Sequence, residues 1–285
     1  MQDFCRIVLV RLSALVIYMK KCTFFIAALA LVFCCLSGVE RPVTIFLVGD
    51  STMADKSELN SSPERGWGQL FPTYIKHHTS LAVRNFAKNG RSTKSFIAEG
   101  RWDDVISQVR SGDFVFIQFG HNDEKKSDST RYASIPEYRA NLLRMVNDVK
   151  KKNATPILFT PCCRRYFKED GSFRVGHHGA YPQVVKDVAF YAKVNLIDLE
   201  KMTQDWLVSE GKDNSKKYFM HVAKGECDKY PNGKIDNTHF REAGALKVGK
   251  LVAVDIVKQQ IKGLKDYIEP NATTIIYTIP DPLVK

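Results

Sequence analysis

Five stretches of the chain are nearly continuous in apolar residues over the length of a strand: VTIFLVGD (43–50), LAVRNFAKN (81–89), DFVFIQFG (113–120), TPILFTP (155–161) and VNLIDL (194–199). Runs of this length that are rich in Val, Ile and Phe and do not alternate with polar residues predict strands covered on both faces. Between them lie helical patterns at 101–110, 136–151 and 181–193, with Pro136 in a first-turn position where its missing N–H costs nothing. An amphipathic helix is expected over about 240–263, with Ala243, Leu246, Leu251, Val254, Val257 and Ile261 on its apolar stripe. Strands alternating with helices imply crossover connections, hence an α/β fold: a three-layer α/β/α sandwich around a parallel sheet of about five strands. Residues 209–237 break the pattern, being rich in Lys, Gly, Asn and Asp, and are expected to form a long polar loop. Such loops are mobile or functional, and this one ends at Asp236-Asn237-Thr238-His239.

The 285 residues, 44% of them hydrophobic, suffice for one sizeable core and leave little for a second. Lys20 and Lys21 precede an apolar run from Cys22 to Leu36 that meets the small residues Ser37 and Gly38, the layout of a secretory signal peptide cleaved near Gly38, with Met19 as an alternative start. The apolar segment at 7–18 is interrupted by Arg11, and the main run is short for a membrane span. The expected organisation is therefore a signal peptide at 1–38, one domain at 39–263 and an extension at 264–285 containing the strand-like ATTIIYTIP. Export to the periplasm or the extracellular space follows. Membrane contact is expected only through an uncleaved signal or a lipid on Cys34 or Cys35, and Leu31-Val32-Phe33 lacks the small residues that lipidation favours.

Four of the seven cysteines (5, 22, 34 and 35) fall in that first segment, leaving Cys162, Cys163 and Cys227 with no metal-binding spacing. One disulfide to Cys227 and three free thiols are both open. Four basic residues and one acidic residue lie within 1–38, so the formal charge of +11 becomes +8 beyond it. A positive surface on an exported protein suits an anionic polymer, although a solvated lysine face without a partner is commoner. There is no Arg-rich run, zinc-finger spacing or RNP-like aromatic box, which disfavours nucleic acid.

In an open parallel sheet, ligands sit at the carboxyl ends of the strands. Ser51 follows the first strand, Gly90 the second, and Gly120-His121-Asn122-Asp123 the third, so topology alone sends three polar elements to one edge. A serine hydroxyl becomes nucleophilic once a base takes its proton; His239 is the candidate base, and Asp236 could hold the other ring nitrogen. The backbone N–H groups of Ser51 and Gly90 and the Asn122 amide are candidate oxyanion donors. Each element has a plainer reading: Gly-Asp-Ser as a helix cap, Gly-x-Asn-Asp as a turn, and Asp-x-x-His as a capping carboxylate beside a surface histidine. Their joint occurrence in this order favours the site. The pairs His77-His78 and His177-His178 resemble metal ligands, but adjacent histidines point apart and no carboxylate partner is evident, so neither a metal nor another cofactor is expected.

On these residues the chain resembles the GDSL or SGNH hydrolase superfamily, whose four marker residues correspond to Ser51, Gly90, Asn122 and His239. It resembles the rhamnogalacturonan acetylesterase branch through Gly49-Asp50-Ser51-Thr52-Met53-Ala54, Gly66-Trp67-Gly68, Asn89-Gly90-Arg91-Ser92-Thr93-Lys94-Ser95-Phe96, Gln118-Phe119-Gly120-His121-Asn122-Asp123, Thr160-Pro161 with Arg164-Arg165, and Asp236-Asn237-Thr238-His239-Phe240. The resemblance implies a flavodoxin-like fold, a Ser51-His239-Asp236 triad, an oxyanion hole of Ser51, Gly90 and Asn122, no metal, and release of acetate from O-acetylated pectin. Its partner would be an acetylated acidic polysaccharide, with Arg91, Lys94 and Lys234 as candidate contacts to uronate carboxylates. An acetylxylan esterase, a lipase or thioesterase on the same fold, and a carbohydrate-binding protein are the alternatives. Cys162-Cys163, where small apolar residues are expected, and the tail beyond 263 depart from the branch pattern.

Overall fold

A computed structural model describes residues 41–77 and 79–276. The expected signal segment, Cys34, Cys35, His78 and the end of the strand-like tail therefore lie outside the described residues. From Val43 on, the described residues form one unit.

Five parallel strands build the main sheet: β1 (Val43–Gly49), β3 (Leu81–Asn85), β4 (Phe114–Gln118), β5 (Thr155–Phe159) and β6 (Asn195–Ile197), in the order β3-β1-β4-β5-β6. Successive side chains of a strand point to opposite faces, and here both faces are covered. Ile45 and Leu47 of β1, Phe116 of β4 and Phe159 of β5 pack with Trp67, Phe71, Leu207, Val248 and Val252 on one side. On the other, Phe46, Val48, Val115, Ile117 and Leu158 pack with Phe96, Trp102, Tyr138, Leu142 and Val185. The first layer comprises helices α1 (Trp67–Leu70), α6 (Leu199–Asn214) and α7 (Glu242–Lys258). The second comprises α2 (Thr93–Ala98), α3 (Arg101–Gln108), α4 (Ile135–Lys151) and α5 (Tyr181–Ala192). The three-layer sandwich expected from the apolar runs is what forms.

The region 209–237 differs from the expected loop. It contains the end of α6, the short strand β7 (Phe219–Val222) and the start of β8 (Lys234–Arg241), which with β2 (Glu64–Arg65) make a second, antiparallel sheet in the order β2-β8-β7. Composition hid these strands because β8 is half-polar and leaves Ile235 82% exposed. Asp236 and His239 thus stand on a strand, and the last helix begins at Glu242 rather than 240.

Two glycines explain close approaches near the site. A Cβ on Gly66 would lie 2.1 Å from the Ala54 carbonyl oxygen, so only glycine lets the segment before α1 press against the loop after β1. Gly90 has φ +76°, a left-handed conformation that glycine adopts without strain. The tail at 264–276 packs on the domain: Ile268 bridges Ile75, and the Glu269 N–H donates to the Tyr74 carbonyl at 2.8 Å. Cys162 and Cys163 are buried and free, and Cys227 is free and half-buried. Among the described residues no helix is long and apolar enough to cross a membrane.

Candidate active site

The strand order reverses beside β1, because the chain passes from β1 to β3 on one flank and then to β4 on the other. The crevice at the carboxyl ends of these strands is where an open α/β sheet admits a ligand. Ser51 follows β1 there, and its shoulder is held by a buried relay. The Trp67 Nε1–H donates to Gln118 Oε1 at 2.6 Å, Gln118 Nε2 donates to Thr52 Oγ1 at 2.7 Å, and the Thr52 hydroxyl donates to Asp50 Oδ1 at 2.8 Å. The Thr52 N–H reaches the same Asp50 oxygen at 2.9 Å. Burial pushes the Asp50 carboxyl up, against the pull of the two Thr52 bonds. Each link is worth about 1 kcal/mol and costs more if one partner is left unsatisfied.

From the second sheet, His239 reaches Ser51 with Nε2 at 2.8 Å from Oγ, and its Nδ1 lies 2.7 Å from Asp236 Oδ2. The other Asp236 oxygen accepts from the backbone N–H groups of Thr238 at 2.8 Å and His239 at 3.0 Å. Burial opposes the Asp236 charge, but the His239 contact and these two N–H groups outweigh it and hold the carboxyl well below its usual range. An ionised Asp236 accepts from Nδ1–H, which leaves Nε2 free to accept the Ser51 hydroxyl proton. Arg165 steadies this turn from the loop after β5: its N–H donates to the Asn237 carbonyl at 2.8 Å and its Nη1 to Asn237 Oδ1 at 3.0 Å.

Gly90 and Asn122 are tied to each other and to Ser51 through their neighbours. Asn122 Nδ2 donates to the Arg91 carbonyl at 3.0 Å, and Asp123 Oδ1 accepts from the Thr93 N–H at 2.9 Å and the Thr93 hydroxyl at 2.5 Å. Lys56 Nζ donates to the Ser51 carbonyl at 2.7 Å and to Asn89 Oδ1 at 2.6 Å, and it pairs with Glu64 Oε1 at 3.0 Å. Among the described residues, no protein acceptor takes the N–H of Ser51 or Gly90. Sequence patterns gave no sign of Lys56, a lysine whose ammonium is buried against Ser51 rather than solvated.

The three residues expected to meet substrate carboxylates are engaged with protein carboxylates. Arg91 Nε pairs with Glu99 at 3.0 Å, Lys94 with Glu137 at 3.6 Å, and Lys234 with Asp236 Oδ2 at 3.0 Å. The histidine pairs also need a correction. His178 does have a carboxylate partner, with Nδ1 2.9 Å from Glu124 Oε2, because folding brings a residue 54 positions away beside it. Among the described residues no cluster of three metal-ligating side chains forms.

A model of the GDSL-like lipase/acylhydrolase family matches residues 47–245, spanning every element of this site. The chain belongs to that family. It is 37% identical over 231 residues to the rhamnogalacturonan acetylesterase RhgT of Bacillus subtilis, covering 81% of this chain and 96% of the relative. It is also 32% identical to the probable rhamnogalacturonan acetylesterase YesY of the same organism, covering 81% of this chain and 97% of that one. Among solved structures, the crystal structure of the YxiM protein of Bacillus subtilis superposes with a TM-score of 0.67 at 29% identity over 78% of this chain, which spans 58% of that longer structure.

Proposed function

We propose that this member of the family is a serine carbohydrate esterase that removes O-acetyl groups from an acidic, pectin-type polysaccharide. The observation that carries the reading is the hydrogen-bonded line from Ser51 Oγ through His239 to Asp236, with contacts of 2.8 and 2.7 Å. Ser51 Oγ attacks the acetyl carbon as its proton passes to His239 Nε2, and the N–H groups of Ser51 and Gly90 with the Asn122 amide stabilise the oxyanion. The sugar hydroxyl leaves with the proton from His239. A water, deprotonated in turn by His239, then releases acetate and restores Ser51.

Two relatives that match nearly end to end are named rhamnogalacturonan acetylesterases, one of them as probable, and this supports the polymer class. Arg131, paired with Asp128 at 2.6 Å, stands beside the oxyanion donors, with Nη1 3.5 Å from where a Cβ on Gly90 would stand. Export through the segment at 1–38, to the periplasm or beyond, agrees with a polymer that does not enter the cell.

The test is the rate of acid release, as acetate from acetylated rhamnogalacturonan and acetylxylan and as octanoate from an octanoate ester, at matched ester concentration. The reading expects the first to be fastest. Equal rates on acetylxylan would remove the acidic specificity, and a preference for octanoate would make the protein a lipase or thioesterase.

A further inference from the structure

We propose that Lys234 is a positioning residue of the reaction, whose ammonium shares the Asp236 oxygen that orients His239 and so offsets part of the carboxylate's charge at the imidazole. This rests on the reading of His239 as the base. Lys234 and Asp236 are two apart on β8, so the strand's period places both side chains on one face, opposite the exposed Ile235. Lys234 Nζ lies 3.0 Å from Asp236 Oδ2, the same oxygen that His239 Nδ1 approaches at 2.7 Å. With the Thr238 and His239 N–H groups on Oδ1, four donors fill the carboxylate. Tyr230 holds the ammonium from behind, its hydroxyl at 3.3 Å and its ring centroid at 4.7 Å from Nζ.

The carboxylate does two things to the ring. It fixes the tautomer, and its charge attracts a proton to the imidazole. A second cation on the shared oxygen leaves the first effect and offsets part of the second, since like charges held by one acceptor oxygen oppose each other. The ammonium is thereby committed to Asp236, not offered to a substrate carboxylate. The other ionisable groups acting on His239 are Asp50 after β1, Glu64 on β2 with Lys56 paired to it, and His121 after β4, while His221 on β7 acts on Asp236. All of them remain when Lys234 alone is changed.

The experiment is the pH profile of kcat/KM for 4-nitrophenyl acetate in the full chain, with Lys234→Met and Lys234→Arg beside the wild type. The acid limb should move up by about one pH unit in Lys234→Met and stay at the wild-type position in Lys234→Arg. Because this ester is neutral, loss of a contact to an acidic polymer cannot shift its limb. An unmoved limb in Lys234→Met, whether or not KM for acidic polymer rises, overturns the proposal. If Lys234→Met does not fold, NMR titration of the His239 ring in Ser51→Ala and in Ser51→Ala/Lys234→Gln reads the same shift without turnover, and coincident titrations overturn the proposal. Failure of the esterase reading would look different: Ser51→Ala would retain hydrolysis whatever Lys234 does.

Discussion

The Nζ of Lys56 lies 2.7 Å from the backbone carbonyl oxygen of Ser51, and the same ammonium holds Asn89, the neighbour of Gly90. One buried cation therefore sets the spacing between two of the candidate oxyanion donors, and Glu64 on β2 balances its charge. Because β2 pairs with β8, the strand of Asp236 and His239, Lys56 also couples the two sheets that meet at the site.

Lys56→Met should cost about 3 kcal/mol of stability, because it leaves Glu64 as an uncompensated, mostly buried charge. The double variant Lys56→Met/Glu64→Leu should regain most of that stability in urea unfolding while kcat stays depressed. Recovery of kcat together with stability would show that Lys56 serves only the fold.

Gly90→Ala should reduce kcat roughly 10-fold to 1000-fold, through displacement of its N–H from the oxyanion position. The left-handed backbone at φ +76° strains any residue with a Cβ by about 1 kcal/mol. The nearest atom to the new methyl is Arg131 Nη1 at 3.5 Å, an ordinary contact, so the protein should still fold. Steady-state kinetics with thermal unfolding on the same sample separates the two effects.

Asp123 gives a pH dependence with a definite sign. Burial, opposed by the Thr93 bonds, raises its carboxyl from 3.8 to about 7. Between those values the folded state holds a proton that the unfolded chain has released, so this group's contribution to stability is full below about pH 4 and is lost as pH rises to about 7. Asp50, also raised by burial, acts in the same direction. Urea midpoints should therefore fall across this range in the wild type and fall less in Asp123→Asn, whose carbonyl oxygen can still accept from Thr93. Parallel slopes would contradict the assignment.

The central parallel strands were legible because β1, β4 and β5 are buried on both faces and so carry nearly unbroken apolar runs, while the edge strands β3 and β6, only partly buried, carry shorter ones. Ser51, Gly90 and Asn122 were legible because topology sends the residues after β1, β3 and β4 to one edge. The small sheet was not: in β8 only Phe240 is fully buried, so no period marked Lys234–Arg241 as a strand. The ion pairs of Lys56, Arg91, Lys94 and Lys234 were equally hidden, since proximity in sequence to a site says nothing about which carboxylate folding places beside each cation. The partner of His178 escaped for the same reason.

The central claim is that Ser51 is the acyl nucleophile activated by His239. Its most direct test is covalent trapping with a serine-directed fluorophosphonate, followed by peptide mapping of the labelled site. A single adduct on Ser51, formed in step with loss of esterase activity and nearly abolished in His239→Ala, is the predicted result. An adduct on another residue, or an unlabelled Ser51 in a protein that has lost its activity, would contradict the account.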